Sequence, residues 1–328
     1  MRINRGLLGW GVFFLLVGAM PLAVRAGYVT ETQIGRIGSL WPLILIGIGV
    51  GILLARTRLA FLGGLLVAAT FGVIVGGVLS GGVEGFAGGG CGPGTGPTRF
   101  PTDDGRFDTT TASVELDFRC GTMTVDSEPG ESWRVEGEDA DGIGPRIDAD
   151  AETLTVSAND RDGGPFGVLA EREAWRITLP DTVGLEINVE LNAGNSTIDL
   201  AGASVESIDL GLNAGSATLD LANVEELGFV NVELNAGSVN LLLPNQTVSG
   251  SIEVNAGSVN LCTPDGAGLR FNTDGSNLSS YDFEDQGLGK NGSTWETPGF
   301  ENAPIRIELD TQTNAGSFSL NPEDGCRA

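Results

Sequence analysis

The chain has 328 residues with 51 Gly, no His and a formal net charge of −25. Without imidazole, Ser-His-Asp and Cys-His catalysis and histidine metal ligation are excluded. The charge is unevenly divided: residues 1–81 carry six Arg and one acid, and residues 82–328 carry twelve basic and 42 acidic groups, a net of −30. A composition shift of this size marks two parts suited to different solvents.

From the N-terminus, the first part reads as membrane. Uncharged apolar runs fill Gly6–Val24, Leu40–Ala55 and Leu59–Leu79. About 20 apolar residues cross a hydrocarbon core as a helix. Three transmembrane helices are predicted, over about 6–24, 39–55 and 59–79, within a membrane region 1–80. Trp10, Tyr28 and Trp41 lie near run ends, where amphipathic rings favour the headgroup level.

Arg2 and Arg5 precede the first run, and Arg56 and Arg58 separate the second from the third. Positive residues stay on the cytoplasmic side, so the expectation is a multi-pass cell-membrane protein with a cytoplasmic N-terminus. Its acidic part is then extracytoplasmic, although Arg25 and Arg36 in the outer loop depart from the rule. The alternative is a signal peptide cut near Val24-Arg25-Ala26, disfavoured by the charge at the cut and the two further spans. Gly47-x-x-x-Gly51 and Gly72-x-x-x-Gly76 set small residues on one helix face, suited to packing the helices together or to a partner.

Residues 81–97 hold nine Gly and two Pro and are read as a flexible stalk. Beyond them lies a repeat. Asn-Ala-Gly occurs at 192–194, 213–215, 235–237, 255–257 and 314–316, with spacings of 21, 22, 20 and 59. A period near 20 residues points to a solenoid. The last gap is close to three periods, so two degenerate coils are expected inside it, with Thr273-Asp274-Gly275 as one corner.

The flanking residues specify the element. Val232, Glu233 and Leu234 alternate before the triplet, and Val239, Asn240 and Leu241 after it. Period-two alternation is a half-buried strand. The triplet between is a corner, where Gly accepts positive φ and Asn bonds neighbouring backbone. Ile198, Leu219, Leu241, Leu261 and Leu320 form one inward column, while Thr197, Thr218, Asn240, Asn260 and Ser319 form an outward one. Arg119-Cys120-Gly121-Thr122-Met123-Thr124-Val125 fits the same frame.

The predicted fold is thus an all-β solenoid over 98–328, a parallel β-helix with coils of about 20 residues, following the α-helical membrane region. Asn192, Asn213, Asn235, Asn255 and Asn314 are expected to stack as a structural corner ladder. Asp160–Gly167 and Tyr281–Gly299 fit the frame poorly and are read as loops or excursions.

Two apolar segments carry a family resemblance. Gly9-Trp10-Gly11-Val12-Phe13-Phe14-Leu15-Leu16-Val17-Gly18 and Leu40-Trp41-Pro42-Leu43-Ile44-Leu45-Ile46-Gly47 resemble the membrane hairpin of LiaI/LiaF-like bacterial envelope proteins. The repeats resemble the adhesin-like, or toast-rack, β-helix domain joined to such hairpins. The resemblance implies an accessory role in cell-envelope stress response, with a membrane histidine kinase or another envelope protein as partner. A third span, the Gly-rich stalk and the regular repeat depart from that pattern. The alternative is an adhesin-like or wall-binding module with cell-wall glycan as its partner.

Candidate chemistry is sparse. Glu190, Glu233 and Glu253 share an outward column, and Asp199 and Asp220 another. Such columns could bind Ca²⁺ through oxygens or serve a polysaccharide-active enzyme; a solvated acidic face is the simpler reading. The expectation is a non-enzymatic protein without catalytic residues, cofactor or metal. Its charge argues against nucleic acid, and its helices imply a lipid bilayer. Cys91, Cys120, Cys262 and Cys326 allow three disulfide connectivities. Cys91 with Cys120, and Cys262 with Cys326, is the pairing expected from position; buried thiols are the alternative.

Overall fold

The computed structural model describes residues 11, 13–15, 68–70, 98–159, 172–322 and 326. The expected spans, Gly47, Gly51, Gly72, Gly76, the stalk and Cys91 fall outside that set, save for 11, 13–15 and 68–70, which are helical. No described helix is long and apolar enough to cross a membrane. Contacts divide the chain into Met1–Phe86 and Ala87–Ala328.

The second unit is built almost wholly from strands. In chain order they are β1 (Thr98–Arg99), β2 (Asp103–Arg106), β3 (Thr111–Glu128), β4 (Ser132–Asp139), β5 (Arg146–Ala149) and β6 (Thr153–Ser157). Then come β7 (Glu173–Pro180), β8 (Gly184–Asp199), β9 (Ser204–Leu212), β10 (Gly215–Asp220), β11 (Glu226–Leu242) and β12 (Val248–Cys262). The last four are β13 (Gly268–Tyr281), β14 (Gly289–Asn291), β15 (Thr294–Glu296) and β16 (Arg306–Leu320).

Each long strand bends at its corner and serves two sheets. Gly184–Leu191 of β8 pairs with β9, and Gly194–Asp199 pairs with β10, all parallel. Register is strict at the corner: Gly121, Gly194, Gly215, Gly237, Gly257 and Gly316 stand one above another. Their role goes beyond positive φ, which is 133° at Gly237. A Cβ there would lie 1.9 Å from the Gly215 carbonyl oxygen, so only a bare α-carbon lets successive corners approach.

Alternation then fills one core. Ala217, Val239, Val259 and Phe318 point inward from the second sheet, as do Ile198, Leu219, Leu241, Leu261 and Leu320. Leu185, Ile187, Val189 and Leu191 meet them from the first sheet. Burying each such side chain is worth about 1.5–3 kcal/mol, enough over many rungs to offset backbone ordering.

The stacking order corrects the sequence reading of the 59-residue gap. No coil lies between the fourth and fifth triplets: β12 pairs directly with β16, Asn260 opposite Ser319. The intervening β13 stacks on the far side of β16. Nor do Thr273, Asp274 and Gly275 form a corner. They pair with Thr311, Gln312 and Thr313, ahead of it, and register shifts between Gly275 and Leu278. The reason is that sequence distance measures chain path, whereas stacking requires only an in-register neighbour.

The opposite end mirrors this arrangement. β3 lies between β8 on one side and β6 and β7 on the other. First and last coils in sequence are therefore each second from an end in space. Antiparallel strands close both ends, with β4 and β5 at one and β15 and β14 at the other. Such caps protect the open edges that a bare solenoid would present.

Candidate functional site

Three side-chain constellations lie on the outside of the coils, and the corner is the first. Asn314 Nδ2 donates to Asn255 Oδ1 at 2.7 Å, and Asn255 to Asn235 at 2.9 Å. Asn235 donates to Asn213 at 2.9 Å, and Asn213 to Asn192 at 3.0 Å. Asn192 Nδ2 ends the run on the Asp117 carboxylate at 3.2 Å. All amides point the same way, so their dipoles add, and the donor end meets an anion. This use of the amides is internal and leaves the ladder a structural part.

The acid column forms the second constellation, on the outer face of the first sheet. Register places Asp117, Glu190, Gly211, Glu233, Glu253, Gln312 and Asp274 in one line. Gly211 leaves a gap, and the Glu190 carboxylate occupies it: a Cβ on Gly211 would lie 2.6 Å from Glu190 Oε2. Partial burial raises the Glu190 pKa, and Glu233 and Asp117 add to the rise. A concavity of about 400 Å³ continues the line past Glu233 and Glu253 to Asp274 and Asp310. No group of three or more His, Cys, Asp or Glu suited to a metal occurs among the described residues. Asp199 and Asp220 accept their own turn amides, Ala201 N–H at 3.1 Å and Ala222 N–H at 3.0 Å.

The basic residues near this face are already engaged. Arg270 contacts Glu301 at 2.6 Å, Glu296 at 2.8 Å and Glu308 at 3.5 Å, and stacks 3.9 Å over the Phe300 ring. The Glu301 hydrogen bond, then that to Glu296, raises the guanidinium pKa; Glu301 is correspondingly lowered. Lys290 lies 4.9 Å from the Trp295 ring. Arg270 shares a column with Glu308, two outward positions before Gln312 on the neighbouring strand. It is therefore not beside the acid column, where an acid–base pair for glycan cleavage would need it.

The third constellation covers the outer face of the second sheet. Its paired positions are Thr122 and Thr124, Asn195 and Thr197, Ser216 and Thr218, Ser238 and Asn240, Ser258 and Asn260, Ser317 and Ser319. All twelve are hydroxyl or amide side chains. Asn260 donates to Asn240 at 2.8 Å and Ser216 to Asn195 at 3.0 Å, along the stack. Sequence reasoning read one of these columns as outward; the second, the residue directly after each corner glycine, runs beside it in register.

Cys262, the last residue of β12, is bonded to Cys326 beyond β16. The bond therefore fastens the tail after β16 to the neighbouring coil. Cys120 is also disulfide-bonded.

The β3-to-β11 stack also has a counterpart among known domains. Residues 98–242 match the N-terminal domain of toast_rack, DUF2154. The toast-rack match runs from β1 to the last residue of β11, and β12, β16 and β13 continue its frame. No curated protein matches the chain. Among solved structures, a candidate cell adhesion protein from Clostridium sporogenes is similar over 69% of this chain and 99% of its own, at 16% identity and a TM-score of 0.44. A candidate adhesin from Bacteroides fragilis is similar over 68% and 97%, at 10% identity and a TM-score of 0.26.

Proposed function

We propose that this protein is a non-enzymatic surface module of the bacterial envelope. In this reading residues 1–80 anchor it in the cell membrane, and the toast-rack solenoid stands outside as an adhesin-like, wall-binding part. The observation that carries the reading is the pair of long outer faces, each written in register over successive coils while Arg270 at their end is tied up in ion pairs. Repetition of this kind suits contact with an extended partner better than turnover of a small one.

The test is full-length protein in nanodiscs mixed with isolated cell-wall sacculi. Co-sedimentation is expected. Purification from native membranes in mild detergent, with and without a wall-active antibiotic, tests the regulatory alternative. A membrane histidine kinase that co-purifies and changes occupancy under stress, with no wall retention, would replace the surface reading by that one.

A further inference from the structure

The second sheet's outer face is anomalous in this chain. Residues 82–328 carry 42 acids, yet on six successive rungs the two outward positions next to the corner glycine, from Thr122 to Ser319, hold only Ser, Thr and Asn, with Asp126, Asp199 and Asp220 bordering them at the third. Strands stand about 4.8 Å apart and alternate outward residues about 6.7 Å apart, so the strip is a lattice about 24 Å long. Each point offers both a donor and an acceptor. Solubility gives no reason to leave charge out of one strip, because charged surfaces keep proteins apart.

At its β3 end the strip opens into a concavity of about 380 Å³. Thr122, Thr124 and Arg176 are among its lining residues, together with Arg99, Phe100 and Glu136. Arg176 is held by Asp126 at 2.6 Å and Arg99 by Glu138 at 3.5 Å, so its cations are balanced by neighbouring acids.

We infer that this uncharged strip is the contact surface for a neutral polysaccharide lying along the stack. The charge distribution chooses the occupant. A polyanion meets a domain of net −30 and is repelled, whereas a cationic polymer is drawn to the Glu190, Glu233 and Glu253 column. The carboxylates bordering the strip are engaged, Asp126 by Arg176 and Asp199 and Asp220 by turn amides. An apolar partner finds no apolar side chain at the twelve positions. What remains matched to a regular array of hydroxyls and amides is a polymer that repeats hydroxyl and amide groups of its own. The inference rests on the surface-module reading and names its substrate class.

The probes are insoluble chitin and cellulose, with polygalacturonate as the anionic control, and full-length protein in nanodiscs. The wild type is expected to sediment with one or both neutral polymers, weakly dependent on salt, and to leave the anionic one. Thr218→Asp with Asn240→Asp places two carboxylates mid-strip and is expected to weaken retention about tenfold or more. Ser238→Ala with Ser258→Ala removes two hydroxyls without new charge and gives a smaller loss, should the acidic variant fail to fold. Glu233→Gln with Glu253→Gln changes the opposite face and leaves retention unaltered. Retention that survives both strip variants overturns the inference. If the wild type sediments with sacculi but with neither neutral polymer, the inference fails and the surface reading stands. If it sediments with none of these materials, both fail.

Discussion

The two outer faces arise from the same strands and cover the same core, yet the columns nearest the corner differ: one holds Glu190, Glu233 and Glu253, the other only hydroxyls and amides. Glu190, Glu233 and Glu253 precede the corner on their strands; Thr197, Asn240 and Asn260 follow it. Residues alternate in a strand, so inward columns are constrained by packing while outward ones are constrained only locally. Two faces of one solenoid can therefore be written independently. The acid column bears a cost, since like charges on adjacent rungs repel; the two neutral columns bear none.

The comparison breaks most completely at the corner. Gly237→Ala places a methyl 1.9 Å from the Gly215 carbonyl oxygen at φ 133°. It is expected to cost about 3 kcal/mol or more and to disorder both faces, read as lowered thermal stability or failed folding. Gly266→Ala, also at positive φ (80°) but with nothing within 4 Å, should cost only about 1 kcal/mol.

Removing the Cys262–Cys326 bond with paired Ser substitutions is expected to cost about 2–5 kcal/mol. Hydrogen exchange should rise first in β13 and β16, at one end of both faces. Asn235 donates to Asn213 and accepts from Asn255 on the line dividing the faces. Asn235→Ala should cost about 1–2 kcal/mol in denaturant unfolding. Asn235→Asp keeps the acceptor but sets a carboxylate near Glu233, so its loss is greater at neutral than at acid pH.

The smallest change sharpens the comparison on the acid face alone. The Glu190 pKa is raised in the folded state, so folding becomes more favourable as pH falls through that value and less so above it. Glu190→Gln is expected to raise the melting temperature slightly at neutral pH. The advantage shrinks as pH drops through the carboxylate range. Glu301 runs the other way: Arg270 lowers its pKa, so its contribution is present above the ordinary carboxylate value and lost as pH falls.

Legibility in the sequence follows from how each feature is encoded. The inward column through Ile198, Leu219 and Leu241 and the corner through Gly194 and Gly215 are local words, repeated because each coil must match its neighbour. The acid line through Glu190, Glu233 and Glu253 was visible for the same reason. The place of Arg270 was not, because β13 keeps no triplet and its register shifts after Gly275. The Thr122 and Thr124 rung was legible despite its Arg-Cys-Gly corner, because the residues after Gly121 keep the frame of the other coils.

Residues 98–328 thus carried in their own spacing the choice of solenoid, the inside and outside of each strand, and the chemistry of each repeated column. Periodicity is a property of the chain, and packing makes it compulsory. Only the tertiary structure decided the order of the coils, with β16 set between β12 and β13 and β3 between β8 and the β6–β7 cap. Strand pairing depends on which backbone edge lies open in space, and chain position does not record that.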